Sequence, residues 1–233
     1  MPKIKNEKSL KGLLSYNMRI NVGCGQTLTP GWRNFDNSLS ICLAKIPVLP
    51  KLLRALRLIE NTQYQYIKFA YTNNIEYCDV TNRIPLQNGS VDVLYSSHMI
   101  EHLDREEVLL FLKEVRRVLS PNGILRLAAP DINKQVQRYI KDDDADVFIG
   151  GTLLVQPRPR SFRQRIRLLL VGKRDHQWMY DGGSLCRLLA SNGFHNASIV
   201  PPGETRIPNP GLLDLFERAS ESVYVEAENS NVA

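Results

Sequence analysis

The order of apolar and polar positions along the chain predicts strands that alternate with helices. The apolar run 18–22 ends in Gly23-Cys24-Gly25, which is typical of a buried parallel strand that meets a loop. Further apolar or alternating runs predict strands at 32–36, 75–79, 91–96, 124–129, 197–200 and 222–226. Helical periodicity is found at 38–70, 106–119 and 184–191. This alternation indicates a doubly wound, mostly parallel sheet.

Two segments interrupt the alternation and are predicted to be insertions in a single domain that spans residues 1–233. Residues 38–70 form a helical insertion, whose apolar face would contain Leu52, Leu53, Leu56 and Ile59. Residues 132–175 form a second, basic cap. With 43% hydrophobic residues, a chain of 233 residues can bury one sizeable core.

The positive charge is concentrated in the second insertion. The formal charge is +6, and residues 158–174 hold seven basic residues and no acid. A solvated surface is one interpretation of this run, and an anionic acceptor such as a nucleotide-sugar, a phosphate-linked glycan or a lipid carrier is the other. Nucleic acid is disfavoured, because Phe162 is the only aromatic residue in the run.

The cysteine pattern and the apolar stretches bear on location. Four widely separated cysteines show no metal spacing and indicate reduced thiols in a cytosol. Neither a secretion signal nor a membrane span is expected, so the predicted location is cytoplasmic. The basic, amphipathic stretch 46–59 is interpreted as a lid over the ligand crevice, with peripheral membrane contact as the alternative. The oligomeric state is left open.

Ligands of such sheets bind at the carboxyl ends of the parallel strands. Gly23 and Gly25 have no Cβ, so the backbone N–H groups can approach a ligand closely. A dinucleotide fingerprint would need a further glycine at position 28, where Leu28 stands, and NAD is therefore disfavoured. Asp36 and Asp79 end the next two strands and could bind a ribose diol and an adenine amino group.

Three segments carry a specific resemblance to a known family. They are INVGCG at 20–25, GWRNFD at 31–36 and PLQNGSVDVLYSSHMIEHL at 85–103. They resemble the class I S-adenosylmethionine-dependent methyltransferases, in particular the small-molecule, type 11-like branch, over residues 18–131 and again near His176. The resemblance implies a Rossmann-like sheet of seven strands with helical caps, and S-adenosyl-L-methionine as the cofactor.

The resemblance also implies which residues hold the cofactor. Gly23 and Gly25 would line the methionine moiety. Asp36 would accept hydrogen bonds from the ribose hydroxyls, and Asp79 would accept one from the adenine amino group. Contacts are further implied for Cys24, Val80 and Ser96. The chain departs from the family at two points: Asn21 stands where such proteins often have an acid, and the helix between the first two strands is reduced to residues 26–30.

Methyl transfer is an in-line displacement, so alignment of the acceptor is the main task and a base is needed only for some acceptors. His98 is the candidate base for a sugar hydroxyl, with a structural histidine as the alternative. His176 and Tyr180 would contact the acceptor, because similar methyltransferases place a His-x-Trp-x-Tyr-Asp element near the pocket. Asp181 is expected to cap a helix. No metal is predicted, since His-x-x-Glu-His at 98–102 shows no third ligand.

These features predict O-methylation of a sugar, a glycan or another small metabolite. The predicted role is in polysaccharide biosynthesis. The acceptor class follows from the resemblance and not from any residue that reads a sugar. Two alternatives stay open at this point: an RNA-modifying methyltransferase, and a non-catalytic module that binds S-adenosylmethionine and a partner.

Overall fold

The structure, a computed structural model, describes residues 18–46, 48–154, 165 and 175–230. Its strands are β1 Arg19–Val22, β2 Arg33–Asp36, β3 Glu76–Tyr77, β4 Val91–Ser97, β5 Leu119–Pro130, β6 Phe194–Val200 and β7 Ser222–Asn229. Its helices are α1 Leu39–Ala44, α2 Leu49–Ala55, α3 Asn61–Thr72, α4 Arg105–Val118, α5 Ile132–Asp142, α6 Ala145–Thr152 and α7 Gly182–Ser191. A 3₁₀ turn, Ile100–His102, joins β4 to α4.

The seven strands form one sheet in the order β3-β2-β1-β4-β5-β7-β6. The first five strands pair in parallel, and β7 lies antiparallel between β5 and β6. The chain runs outward from β1 to β3 and then returns to place β4 on the other side of β1. This reversal creates a switch point at the carboxyl ends of β1 and β4, where open α/β sheets bind ligands. The predicted seven-stranded, mostly parallel sheet is confirmed.

One face of the sheet is covered by α4 and α7. Helix α4 buries Val108, Phe111 and Val115 completely against the strands. It begins at Asp104, whose carboxylate accepts hydrogen bonds from the N–H groups of Glu106 and Glu107. Asp181 caps α7 in the same way, through Ser184, and the expectation of a cap at that residue is confirmed.

The opposite face is covered in part by the irregular segment 201–221. Ile207 and Leu213 of this segment pack on Tyr95, Ala128 and other residues of the sheet. Because a segment without helical periodicity gives no amphipathic signal, the sequence pattern did not predict this cover.

The first insertion is broken into α1, α2 and α3, so the expectation of a helix throughout 38–70 was wrong in detail. Of the predicted apolar face, Leu52 and Leu56 are 51% and 59% exposed, whereas Ile59 is buried. Pro50 stands near the start of α2, a position where the missing N–H of proline costs little.

The second insertion begins with α5 and α6, and α6 ends at Thr152. Apart from Arg165, the basic run 158–174 lies outside the described residues. No helix in the described part of the chain is long and apolar enough to cross a membrane.

Two strand boundaries also differ from the prediction. Residues 120–123 separate the predicted helix 106–119 from the predicted strand 124–129, but they belong to β5, because Leu119 pairs with Val91 ahead of a register shift. Strand β3 contains only Glu76 and Tyr77, so Asp79 lies two residues beyond its end.

Candidate functional site

The loop after β1 makes a tight turn that both of its glycines permit. Gly23 and Gly25 adopt the left-handed region, with φ of +68° and +50°. A Cβ on Gly23 would lie 2.5 Å from Cγ of Met99, whereas a Cβ on Gly25 would meet nothing within 4 Å. The backbone at Gly25 therefore faces open space, as a cradle for a ligand requires.

Asn21 holds this loop in place from below. Its side chain is 1% exposed and donates from Nδ2 to the Thr27 carbonyl at 2.9 Å and to Thr29 Oγ1 at 3.2 Å. Asn34 of β2 joins the network by accepting from Asn21 Nδ2 at 3.3 Å and from the Thr29 N–H at 3.0 Å. The amide of Asn21 thus ties the loop to β1 and β2.

Asp36 stands at the end of β2 beside the glycine loop. One carboxylate oxygen, Oδ2, accepts from the Gly25 N–H at 2.9 Å, and Oδ1 accepts from the Ser38 N–H at 2.8 Å. Tyr66 of α3 donates to Oδ1 at 3.4 Å. The residue is half-buried. Its carboxylate is therefore fixed in position, and each oxygen has a further lone pair to accept a hydroxyl.

Asp79 follows β3 in a turn of its own. Oδ1 accepts from the N–H of Thr81 at 3.0 Å and from its hydroxyl at 2.7 Å. Its Oδ2 makes no hydrogen bond with the described residues, and Val80 beside it is buried in the core. Asp36 ends β2, and Asp79 lies two residues beyond the end of the adjacent strand β3.

Cys24 and Ser96 are more deeply buried than residues that line an open crevice. Cys24 is 4% exposed, and burial, together with the charge of Asp36, raises the pKa of its thiol. Ser96 is 1% exposed and pairs with Val22 of β1 and Leu127 of β5. A contact between Ser96 and the methionyl part of the cofactor stays a prediction.

A buried polar cluster lies beyond β4, next to the glycine loop. It consists of Glu101, His98, His102 and His176, and thus contains three of the four histidines of the chain. Glu101 is 1% exposed, with Oε1 at 3.4 Å from His98 Nδ1 and 3.9 Å from His176 Nε2. Met99, which packs on Gly23, connects the cluster to the loop.

The two ring nitrogens of His98 contact different partners. Nε2 lies 2.7 Å from the hydroxyl of Ser222 in β7, and Nδ1 faces Glu101. The backbone of His98 is left-handed, with φ of +49°, and its N–H donates to the Ala128 carbonyl at 2.9 Å. A non-glycine residue in this conformation is costly and is often found where function demands a particular placement.

His176 and Tyr180 line the same region. Both are buried; the Thr152 backbone lies near the His176 ring and Arg105 lies near the Tyr180 hydroxyl, but neither His176 Nδ1 nor that hydroxyl makes a hydrogen bond of good geometry with the described residues. Burial lowers the pKa of His176 despite the opposing charge of Glu101, and burial raises the pKa of Tyr180 despite the nearby Arg105. Arg105 also stacks on Trp178, with 4.9 Å between its guanidinium carbon and the ring centroid.

The structure brings the predicted site residues together in two groups. Gly23, Gly25, Asp36 and Asp79 lie along the edge formed by β1, β2 and β3, and His98, His176 and Tyr180 lie beyond β4 and β5. Sequence reasoning assigned no role to Glu101 or Ser222. A buried glutamate could have been suspected from the histidines on either side of it at 98 and 102, but the contact of Ser222 depends on the pairing of β5 with β7.

Comparison with known proteins agrees with this architecture. A family model described as a methyltransferase domain matches residues 49–127, from α2 into β5. No curated protein sequence matches the chain. A solved methyltransferase of Thermotoga maritima is 14% identical and has a TM-score of 0.50, over 94% of this chain and 85% of that chain. Another, from Methanosarcina mazei, is 15% identical with a TM-score of 0.47, over 91% of this chain and 92% of that chain. The likeness to the Thermotoga structure shows the fold.

Proposed function

We propose that this chain is a class I S-adenosylmethionine-dependent methyltransferase and that it transfers the methyl group to a hydroxyl of a sugar, a glycan or another small metabolite. Its cofactor is S-adenosyl-L-methionine, in keeping with the methyltransferase domain that residues 49–127 match. The observation that supports the acceptor chemistry is the pairing of His98 with the buried carboxylate of Glu101, beside the glycine loop at the switch point of the sheet.

The cofactor would lie along the ends of β1, β2 and β3. The open backbone at Gly25 would face the methionine moiety. The fixed carboxylate of Asp36 would accept hydrogen bonds from the two ribose hydroxyls, and Oδ2 of Asp79 would accept a hydrogen bond from the adenine amino group. Cofactor binding would place the sulfonium methyl group toward β4. The acceptor would then approach from the side of the cluster that contains Glu101.

The chemical step needs a hydroxyl oxygen in line with the methyl carbon and its sulfur. The oxygen forms a bond to the methyl carbon while the carbon–sulfur bond breaks, and S-adenosylhomocysteine leaves as a neutral thioether. The hydroxyl proton would pass to Nε2 of His98, where the acceptor replaces the contact with Ser222. Glu101 would stabilise the resulting imidazolium, and Tyr180 would position the acceptor.

We further propose that the reaction takes place in the cytoplasm on a precursor of a polysaccharide. The four free cysteines support the location, since reduced thiols are the rule there. The basic run 158–174 supports an anionic precursor such as a nucleotide-sugar, whose negative charge the run would attract.

A transfer assay with labelled S-adenosylmethionine tests this proposal. Nucleotide-sugars, oligosaccharides and RNA are offered separately, and label is expected in a sugar hydroxyl. His98→Ala should lower kcat by about 10²–10⁴-fold while cofactor affinity is kept. His195→Ala is the matched control, because His195 is exposed on β6, and it should leave kcat unchanged.

Two other outcomes would replace the proposal. Label in RNA alone, with binding that weakens as salt rises, would indicate an RNA-modifying enzyme. Tight cofactor binding without transfer to any acceptor would indicate a non-catalytic interaction module.

A further inference from the structure

We propose that Glu101, His102 and His176 form a binding site for a divalent transition-metal ion. One potential ligand atom from each residue lies within 4.8 Å of the other two. Along the sequence, the candidate ligands in this region are His98, Glu101 and His102. The fold brings His176, from the segment ahead of α7, next to Glu101 and His102 as the third ligand. The site is distinct from the residues assigned to the cofactor.

The burial of the ligands is the first argument. Glu101 is 1% exposed and His176 is 7% exposed. Neither carboxylate oxygen of Glu101 accepts a hydrogen bond from the described residues, although Oε1 lies 3.4 Å from His98 Nδ1 and 3.9 Å from His176 Nε2. Buried polar groups of this kind are costly unless they are paired or coordinate a metal. A cation bound between them would satisfy the carboxylate and use the imidazole lone pairs.

The orientation of His102 is the second argument. Its Nδ1 lies 3.1 Å from the backbone carbonyl of Asp175. A carbonyl can only accept, so Nδ1 carries the proton of the neutral ring and Nε2 keeps its lone pair. A carbonyl that fixes the tautomer of a histidine is the usual outer partner of a metal ligand.

The backbone joins the two segments that carry the ligands. The Glu101 carbonyl accepts from the N–H groups of Gln177 at 2.7 Å and Trp178 at 3.2 Å. The rings of His102 and His176 meet edge to face, with centroids 5.1 Å apart. These contacts position the three side chains before any ion binds.

The donor set selects the class of ion. Two imidazoles and one carboxylate suit Zn²⁺ and its transition-metal neighbours, whereas Mg²⁺ and Ca²⁺ prefer oxygen ligands. Three protein ligands leave at least one coordination position open. If the proposed function holds, that position would receive the acceptor oxygen, so His176 would act on the acceptor through the ion.

Metal binding can be measured without any knowledge of the acceptor. The full chain is stripped with a chelator and titrated with Zn²⁺ by calorimetry and with Co²⁺ by visible absorption. We expect one ion per chain and a Co²⁺ spectrum typical of nitrogen and oxygen ligands. His176→Ala and His102→Ala should each weaken binding by more than about 100-fold, beyond the loss that is usual for an outer partner. His195→Ala should bind as the wild type does.

Three results would overturn the site: no binding of either ion, binding that both single variants retain, or equal loss in His195→Ala. S-adenosylhomocysteine affinity and the melting temperature are measured on every variant, so a variant that does not fold is recognised. Glu101→Gln is the second test of metal binding. It keeps the shape of the side chain and removes its charge, so the affinity for the ion should fall. Normal metal binding with no methyl transfer would refute the proposed function and leave this site intact.

Discussion

Gly23 is held in place both by its backbone and by its surroundings. Its φ of +68° favours glycine, and the space where a Cβ would stand is filled by Met99. Gly25 has the same kind of backbone but no neighbour within 4 Å of that point. Comparing substitutions at the two glycines therefore separates the energetic cost of a steric clash from the cost of a left-handed backbone conformation.

Gly23→Ala should destabilise the protein more than Gly25→Ala. Both variants pay roughly 1–2 kcal/mol for an alanine in the left-handed region, and Gly23→Ala adds about 1–3 kcal/mol of overpacking against Met99. The double variant Gly23→Ala/Met99→Ala should recover part of that second cost. Urea unfolding measures all four proteins, and equal free energies of unfolding for the two single variants would contradict the packing argument.

The buried cysteines should resist alkylation while Cys42 reacts. Cys42 is exposed, whereas burial raises the pKa of Cys78 to about 12 and also raises that of Cys24. At pH 8 the thiolate, which is the reactive form, is therefore scarce at both buried positions. Mass spectrometry after brief iodoacetamide treatment should show label on Cys42 and almost none on Cys24 or Cys78. Label on Cys78 at the same rate as on Cys42 would contradict this burial.

The sign of the pH effect on stability follows from the same residues. The folded state raises the thiol pKa of Cys78 from 9.0 to about 12, so its contribution is fully present below pH 9. As the pH rises above 9, the Cys78 thiol loses its proton in the unfolded chain before it does so in the folded protein. The free energy of unfolding should therefore fall as the pH rises from 9 toward 12.

At the scale of elements, the strands and the two capped helices could be predicted from the sequence, and parts of the site could not. Strands β1 and β4 are buried apolar runs, and Asp104 and Asp181 mark helix starts by local chemistry. The placement of Glu101 between His98 and His176 depends on contacts far apart in the chain. Local patterns carry no information about such contacts, so the cluster emerges only from the fold.

Asn21 is a case in which the family resemblance and the structure make opposite predictions. Asn21→Asp introduces the acid that the methyltransferases it resembles often carry there, but a carboxylate cannot donate to the oxygens of Thr27, Thr29 and Asn34 that surround the amide. We expect a loss of about 1–3 kcal/mol in the free energy of unfolding and weaker cofactor binding. The control is Asn82→Asp at an exposed position, which should change stability little.

Thermal and urea unfolding measure this difference. A more stable Asn21→Asp variant with tighter cofactor binding would show that the amide network does not hold the loop.

At the scale of the whole molecule, the segment 201–221 packs on one face of the sheet. Arg126 and Glu226 are both 0% exposed and meet at 2.6 Å beneath it. Glu226 also accepts from the Thr205 hydroxyl and from the Arg206 N–H, and Arg126 donates to the Glu204 carbonyl at 3.0 Å. This buried pair therefore joins the segment to β5 and β7.

Arg126→Met should destabilise the protein by up to about 3–5 kcal/mol, since it removes the buried partner of the Glu226 carboxylate and leaves only the partly exposed Arg206 at 3.5 Å. The double variant Arg126→Met/Glu226→Gln should recover much of the loss, because a neutral amide can still accept from Thr205 and Arg206. Urea denaturation compares the three proteins. An additive loss in the double variant would show that the two side chains do not depend on each other.

The central claim is that the edge formed by β1, β2 and β3 binds S-adenosylmethionine through Asp36. Asp36→Ala should lose about 100-fold in affinity or more, since each hydrogen bond to a charged group contributes roughly 1.5–3 kcal/mol. Asp92→Ala serves as the control, because Asp92 lies near the opposite end of β4, where it accepts from Ser120.

Calorimetric titration of the purified chain with S-adenosylmethionine, S-adenosylhomocysteine and NAD is the measurement that tests this claim most directly. The account predicts micromolar binding of the first two ligands, none of NAD, loss of binding in Asp36→Ala and no change in Asp92→Ala. Absence of binding by the wild-type protein, or equal binding by Asp36→Ala, would contradict it.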